Sequence, residues 1–436
     1  MSVKIVTRFP PSPTGYFHIG SARTALFNYL FAKHHGGTMG LRFEDTDKTR
    51  SKPEFEEDIV GGLRWLAIEY EMGTGRQSER QSVYQPYVQK LIDSGNAYEA
   101  EASEHDADKK VVRFKNPNIV VTFKDMIRGD ISFDMTELKD FVIAKSINEP
   151  LYHLAVVVDD HEMGVTHVIR GEDHIPNTPR QILLLEALGF TRPEYAHIPL
   201  ILDQNRAKLS KRNFAASVND YKTLGYSPKA LVNYLALLGW TPPSGKEKLS
   251  IEEMAVEFDI RDVHTSGAIF DLEKLKWLNR QYMIEIPEQE FLDGVMKYAP
   301  HWDREMTTRL IPLLRERINV WKEFDPSEFD YFFNTPKLEV VHIPEKNSDA
   351  HTATRHLEYI QNTLDKLSLK NFETAESIKQ TLFEYATKEG RGAVLWPLRY
   401  ALSGKLKSPD PFTLIRFLGK EETLSRIQTA MQHIAS

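Results

Sequence analysis

The stretch that most constrains this chain runs Arg8-Phe9-Pro10-Pro11-Ser12-Pro13-Thr14-Gly15-Tyr16-Phe17-His18-Ile19-Gly20-Ser21-Ala22-Arg23. An apolar, β-branched run, Val3 to Thr7, leads into it and reads as a buried strand. A run from Ala22 to His34 leaves it, with Ala25, Leu26, Tyr29 and Leu30 at helical spacing. Three prolines and a glycine in between forbid a helix or a central strand across the junction. Strand, stiff loop and helix start in that order form the ligand edge of an open parallel α/β sheet. The free N–H groups of a helix start suit a phosphate. His18 adds a donor towards the same anion, and Gly20 lets a flat base or sugar approach the backbone. Neither GxxxxGK[ST] nor GxGxxG is present, which excludes a P-loop and a dinucleotide fingerprint. His-x-Gly alone reads as a Pro-rich turn with an incidental histidine. The length of the match and a basic partner near residue 208 favour a site.

A chain of 436 residues is expected to hold two to four domains. No run of about 18 apolar residues occurs, so no membrane span is expected. The chain enters its first strand within a few residues, which leaves no room for a leader and points to the cytoplasm. With no cysteine, disulfides, thiol catalysis and Cys-type zinc sites are excluded. The net charge of −7 means that any claim of RNA binding has to come from motifs, since phosphate contacts need only local patches.

Along the chain, His34-His35 beside Gly36 read as a structural helix end rather than as metal ligands. A second strand, Thr38 to Phe43, exits into Glu44-Asp45-Thr46-Asp47, where Glu44 can hold an ammonium group and Asp47 reads as a cap. Helices are expected over Glu54–Tyr70 and Tyr84–Ser94, with a polar loop, Gly73 to Arg80, between them. From about Tyr98 to Pro150, short alternating strands broken by Asn-Pro and Arg-Gly-Asp turns indicate a small β-rich insertion. Leu151 to Asp160 reads as a buried strand with an acidic exit, and Val165 to Ile169 as another. A helix from Thr178 to Leu188, capped by Gly189, completes the returning βαβ grammar. Arg8 and Arg170, each at a strand end, can clamp a side-chain carboxylate, with Tyr152 as a hydrogen-bond partner. The alternative is a structural ion pair with Glu44 or Asp173. His153, His161, His167 and His174 fit no metal motif. A last strand, Ala196 to Leu202, feeds a polar loop with Lys208-Leu209-Ser210-Lys211-Arg212. The remainder is mostly amphipathic helix, with Trp321, Phe324, Phe332 and Trp396 as expected core. Arg391, Arg399, Lys405, Lys407, Arg416 and Lys420 concentrate positive charge near the end.

His18-Ile19-Gly20-Ser21 resembles the "HIGH" signature of class I aminoacyl-tRNA synthetases, with Ser21 in place of the second histidine. Lys208 to Arg212, about 190 residues downstream, resembles their "KMSKS" signature. Pro11-Ser12-Pro13-Thr14-Gly15, the Arg42-to-Asp47 segment, Gln77-Ser78-Glu79-Arg80 and the 396–404 segment resemble bacterial glutamyl-tRNA synthetases, and the likeness runs end to end. It implies an α/β, Rossmann-like catalytic domain in two halves, 1–97 and 151–213, around an acceptor-binding insertion at 98–150. A stem-contact domain at 214–310 and a helical anticodon-binding domain at 311–436 would follow. The implied activity is ATP-dependent formation of glutamyl adenylate and transfer to the 3′ end of tRNA(Glu), with tRNA(Gln) as an open second acceptor. His18, Lys208 and Lys211 would be catalytic. His18, Gly20, Ser21, Lys208 and Lys211 would bind ATP with its Mg²⁺. Arg8, Ser12, Glu44, Tyr152 and Arg170 would hold glutamate, Glu44 through the α-amino group. The implied partners are tRNA and glutamate, with no membrane and a monomeric enzyme. Many glutamyl enzymes carry a longer insertion with a Cys/His zinc knuckle. Here it is short, with only Glu101, Glu104, His105 and Asp108 as polar candidates, so no zinc is expected. A glutaminyl-type enzyme and a non-catalytic tRNA-binding paralogue are the rivals. Ser12-Pro13-Thr14-Gly15 stands where the first typically has Glu-Pro-Asn-Gly, and intact His18, Lys208 and Lys211 weigh against the second.

Overall fold

A computed structural model describes residues 4–101, 110–207, 209, 217–346 and 348–435. Two compact units divide between Tyr282 and Met283. The first opens β1 (Val6–Phe9), α1 (Ile19–His34), β2 (Thr38–Phe43), α2 (Pro53–Trp65), β3 (Glu71–Arg76), α3 (Gln81–Asp93). The strands β1, β2 and β3 pair in parallel, in that order. The segment 73–80, expected as a loop, thus begins as an edge strand. Gly73 makes this possible, because a Cβ there would lie 2.5 Å from Cε of Met163. Helix α2 is shorter than expected: it stops at Trp65, and the turn closes through Ala67 at φ 55° with the Ile68 N–H on Leu63 O at 3.0 Å.

The insertion supplies β4 (Ala97–Glu101), β5 (Lys110–Phe114), β6 (Val120–Asp125), β7 (Gly129–Asp134), β8 (Phe141–Ser146) and β9 (Glu149–Pro150). Four of these, β4-β5-β8-β9, form an antiparallel sheet. The hairpin β6–β7 instead extends the sheet of the returning fold, which holds α4 (Tyr152–Glu162), β10 (His167–Gly171), α5 (Thr178–Leu188) and β11 (Glu194–Ile198). One core unites them: Tyr84 and Leu91 of α3, Val112, Phe123 and Ile143 of the insertion, and Leu154, Val168, Leu184 and Tyr195. Of the polar candidates in the insertion, Glu101 ends β4, and Glu104, His105 and Asp108 lie outside the described residues.

The strand expected over 151–160 is the helix α4. Leu154 to Asp160 are buried without interruption, so no polar stripe betrays a helical period, and the β-branched valines 156–158 mimic a central strand. Strand β10 lies beside β1, joined by the Thr166 N–H on Val6 O at 2.9 Å and the Val6 N–H on Thr166 Oγ1 at 2.9 Å. The chain goes from β1 outwards to β2 and β3, then returns on the other side of β1 to β10 and β11. The carboxyl ends of β1 and β10 therefore flank a topological switch point, the ligand crevice of an open α/β sheet. The run expected as one strand from Ala196 to Leu202 breaks at Pro199; β12 (Ile201–Leu202) pairs with β13 (Ala268–Ile269). Between these two strands stand α6 (Val218–Leu224), α7 (Pro228–Leu237) and α8 (Ile251–Glu257), and α9 (Leu272–Met283) ends the unit.

The second unit is helical: α10 (Glu288–Tyr298), α11 (Arg304–Arg317), α12 (Ala350–Asp365), α13 (Ala375–Glu389), α14 (Arg391–Ser403) and α15 (Pro411–Ala435), the last interrupted at Gly419. Phe291, Val295 and Leu314 share its core with Leu357, Leu398 and Ile415. That shared core groups α10 and α11 with the helices that follow them. Phe324 and Phe332 are buried, whereas Trp321 and Trp396 are only partly so. Not all of the late positive charge is free. Lys420 donates to Asp365 O, the last carbonyl of α12, at 2.5 Å and to Leu367 O beyond it at 3.0 Å, and Arg399 donates to Leu406 O at 2.9 Å.

Candidate active site

A cavity of about 630 Å³ opens at the switch point. Arg8, Ser12, His18, Gly20, Ser21, Glu44, Tyr152 and Arg170 all line it, which is every candidate residue that the structure describes. Lys208 and Lys211 lie outside the described residues. Their described neighbours frame the cavity: Leu209 lines it, and Ser217 bridges to His18, with the Val218 N–H on Phe17 O at 2.8 Å.

Helix α1 starts at Ile19, three residues earlier than the periodicity suggests, because His18 is its cap. His18 Nδ1 accepts the Ser21 N–H at 3.1 Å, which leaves the ring proton on Nε2, 2.9 Å from Ser21 Oγ. A Cβ on Gly20 would come within 3.1 Å of His18 Nδ1, so the glycine makes room for the imidazole. The histidine thus occupies part of the helix terminus that an anion was expected to use.

Behind the cavity lies a buried charge network that the sequence reading missed. Arg8 pairs with Asp160 (Nε to Oδ1, 3.2 Å), not with Glu44. Glu44 pairs with Arg42 at 3.0 Å, and Arg42 also bonds Asp160. Asp159 accepts from Arg80 Nε, Tyr84 and Gln77, each at 2.9 Å. Burial opposes the charge on Arg42, but Asp160, Glu44 and Asp159 outweigh it and its pKa rises. Burial alone would raise Asp160, yet Arg42 and Arg8 hold it below the usual carboxylate range. Glu44 goes the other way, pushed up by burial against the pull of Arg42. The Gln77-Ser78-Glu79-Arg80 segment is part of this framework. Ser78 donates its N–H to Asp45 at 2.8 Å, and Glu79 meets Arg76 at 3.1 Å. Asp47 caps the Thr49–Arg50 turn rather than α2, whose cap residue is Lys52.

Arg170 has a different setting. Its Nη1 donates to Gln181 Oε1 at 2.8 Å, Nη2 to Thr178 Oγ1 at 2.7 Å and Nε to His197 Nε2 at 3.2 Å, all neutral acceptors. It forms no ion pair with a carboxylate among the described residues, and burial pulls its pKa down. Arg8, Arg42 and Arg80 are thus ion-paired with Glu44, Asp159 and Asp160, whereas Arg170 is met by neutral acceptors. The Tyr152 hydroxyl lies 3.1 Å from His174 Nδ1. Burial pushes Tyr152 up to about 12, so it stays a neutral donor. Burial, helped by Arg170, holds His174 down at about 4. Arg23 is a further buried cation at the cavity, donating to the carbonyls of Pro199 and Leu238. Only its place one turn into α1 hinted at it.

A β1–α1–β2 sheet, a His-Ile-Gly loop at its switch point and a Lys-Leu-Ser-Lys segment downstream define a class I tRNA synthetase. The family model "tRNA synthetases class I (E and Q), catalytic domain" matches residues 4–106 and 99–277, and "Anticodon binding domain" matches 290–431. A glutamate–tRNA ligase of Aquifex aeolicus is 40% identical over 99% of this chain and 100% of its own length. One of Desulforamulus reducens is 36% identical over 99% and 100%. A solved structure of a glutamate tRNA ligase from Elizabethkingia meningosepticum, in complex with its amino acid, superposes with TM-score 0.87 at 33% identity, covering 99% of this chain and 100% of that one. The chain belongs to the bacterial-type glutamate–tRNA ligases.

Proposed function

We propose that the cavity is where glutamate and ATP meet, and that its residues divide as follows. Arg170, which forms no ion pair with a carboxylate among the described residues, takes the side-chain carboxylate of glutamate together with Arg8. Tyr152 hydrogen-bonds the same carboxylate, Glu44 receives the α-ammonium group, and Ser12 adds a further contact to glutamate. His18, Gly20 and Ser21 lie along the phosphates of ATP, which carries its Mg²⁺ as part of the substrate. Lys208 and Lys211 neutralise charge on the α- and β-phosphates. The α-carboxylate oxygen attacks the α-phosphorus, the bond to the β-phosphate oxygen breaks, and pyrophosphate leaves with the electron pair. A terminal ribose hydroxyl of tRNA then attacks the adenylate carbonyl and AMP departs. No covalent enzyme intermediate is needed; catalysis is positioning and charge neutralisation.

The observation that carries this reading is the guanidinium of Arg170, held by neutral acceptors while Arg8 and Glu44 in the same cavity are ion-paired. A glutaminyl-type specificity would leave that charge buried without an anion, and rejection of glutamine can then reach roughly 10⁴-fold. For the other parts of the chain, we propose acceptor-end contact by 98–150 without zinc, stem contact by 214–310 and anticodon reading by 311–436. The test is glutamate-dependent ATP–pyrophosphate exchange, with and without cognate tRNA. Exchange that needs tRNA and drops about 10²–10³-fold in Lys211→Ala is expected. Equal rates in that variant would remove Lys211 from the mechanism, and stoichiometric zinc in the same preparation would contradict the zinc-free insertion.

A further inference from the structure

Arg170 is held from behind by a hydrogen-bond chain that starts in the insertion. Asp125 is the last residue of β6 and is 1% exposed. Its Oδ1 accepts the backbone N–H groups of Ile127 and Arg128, each at 3.0 Å. Its Oδ2 accepts the backbone N–H of His197 at 3.0 Å and faces His197 Nδ1 at 2.7 Å. Burial would push Asp125 up, but these bonds hold it below the usual carboxylate range, so it acts as an acceptor. The proton of the imidazole must therefore sit on Nδ1. Nε2 is left as a lone pair, and it receives the Arg170 Nε–H at 3.2 Å. With the proton on Nε2 instead, two donors would face each other inside a fully buried pocket. Burial, with Arg170 acting in the same direction, keeps His197 neutral.

The same turn grips the strand end a second time. Arg128 donates from Nε to His197 O at 3.2 Å, and from Nη2 to Glu172 at 2.5 Å and Thr265 O at 3.2 Å. Glu172 in turn accepts the Leu200 N–H at 2.8 Å. Three of the five N–H donors of Arg170 are used by His197, Gln181 and Thr178, which leaves two for the cavity. Their direction depends on the plane of the guanidinium, and His197 fixes that plane at Nε.

We infer that Asp125 and His197 are positioning residues for glutamate: the insertion, through Asp125, sets the His197 tautomer that aims Arg170 into the cavity. This rests on the reading of Arg170 as a partner of the glutamate side chain. His197→Leu removes both links. His197→Gln keeps a donor for Asp125 and an acceptor for Arg170. In tRNA-supported pyrophosphate exchange, His197→Leu is expected to raise the glutamate KM by up to about 100-fold, the scale of a misplaced binding group, with the ATP KM unchanged. Discrimination against glutamine should fall with it, and His197→Gln should recover most of both. Arg170→Ala separates the two readings. If it leaves the glutamate KM unchanged, the role of Arg170 itself fails. If it weakens glutamate while folded His197→Leu keeps wild-type KM and discrimination, the positioning chain is overturned. Nitrogen-15 histidine spectra of the unmutated enzyme, assigned against His197→Gln, give a reading that does not depend on the folding of a leucine variant. A neutral Nδ1–H ring at His197 is expected, and an Nε2–H ring or an imidazolium at neutral pH would overturn the inference.

Discussion

Arg8 and Arg170 stand on neighbouring strands, line the same cavity and are both almost fully buried, yet their charges are handled in opposite ways. Arg8 shares Asp160 with Arg42, and the network around it is nearly neutral. Arg170 is solvated by an amide, a hydroxyl and an imidazole, none of which carries charge. The first arrangement stabilises the fold and holds a side chain still. The second leaves a desolvated positive charge whose best partner is an incoming carboxylate. Identical residue types at matching strand ends are thus set in different electrostatic surroundings by what lies behind them.

The sharpest way to break this contrast is Asp160→Asn. It strips a buried partner from Arg8 and Arg42 and should cost about 3–5 kcal/mol of unfolding free energy, read by urea denaturation. Wild-type stability would mean that the network does not hold the Arg8 side. Arg170→Ala should do the reverse. Glutamate kcat/KM should fall about 10²–10³-fold (roughly 3–4 kcal/mol), while the urea midpoint stays close to wild type, because no buried anion is orphaned. A large stability loss with intact glutamate use would invert the comparison.

Acid should separate the two sides next. His153 and His174 beside Arg170 are held down at about 4 by burial, with Arg170 helping. Their ordinary value is near 6.5, so the unfolded chain binds more protons between pH 6.5 and 4. Stability from the Arg170 side is therefore complete above about pH 6.5 and lost as the pH falls towards 4. Asp160 is depressed below its ordinary value of 3.8, so the Arg8 side loses stability only below that, at still lower pH. Urea titrations across this range should resolve the histidine step first; a single step below pH 4 would refute the order. The smallest effect belongs to Glu69→Ala. The Lys33–Glu69 pair is 2.9 Å long, matching Arg42–Glu44 at 3.0 Å, but its side chains are 46% and 74% exposed. Its loss should change stability by no more than about 0.5 kcal/mol, since solvent screens it.

Much of the frame was legible along the chain because its causes are local. The strand before Pro10, the cap glycine at 189 and the hairpins of the insertion all follow from backbone restrictions of particular residues. Helix α4 and β3 were not legible. Helix α4 hides its period under uninterrupted burial, and β3 is a glycine-bearing edge that only Met163 explains. The same limit hid Arg42, Asp159, Asp160, Asp125 and His197. Apart from Arg42 and Glu44, which are two positions apart, the partners lie far apart in sequence, as in the 152 positions between Arg8 and Asp160 or the 72 between Asp125 and His197.

By itself, then, the sequence determined the order of elements, the loop that bears His18 and the residue types that converge on one cavity, because strand exits, prolines and caps act over a few residues. Only the tertiary structure decided how the charge of each arginine is met. The worth of a buried charge depends on which groups replace its water, and those groups come from Asp160 on α4 and from His197 and Asp125 on β11 and β6.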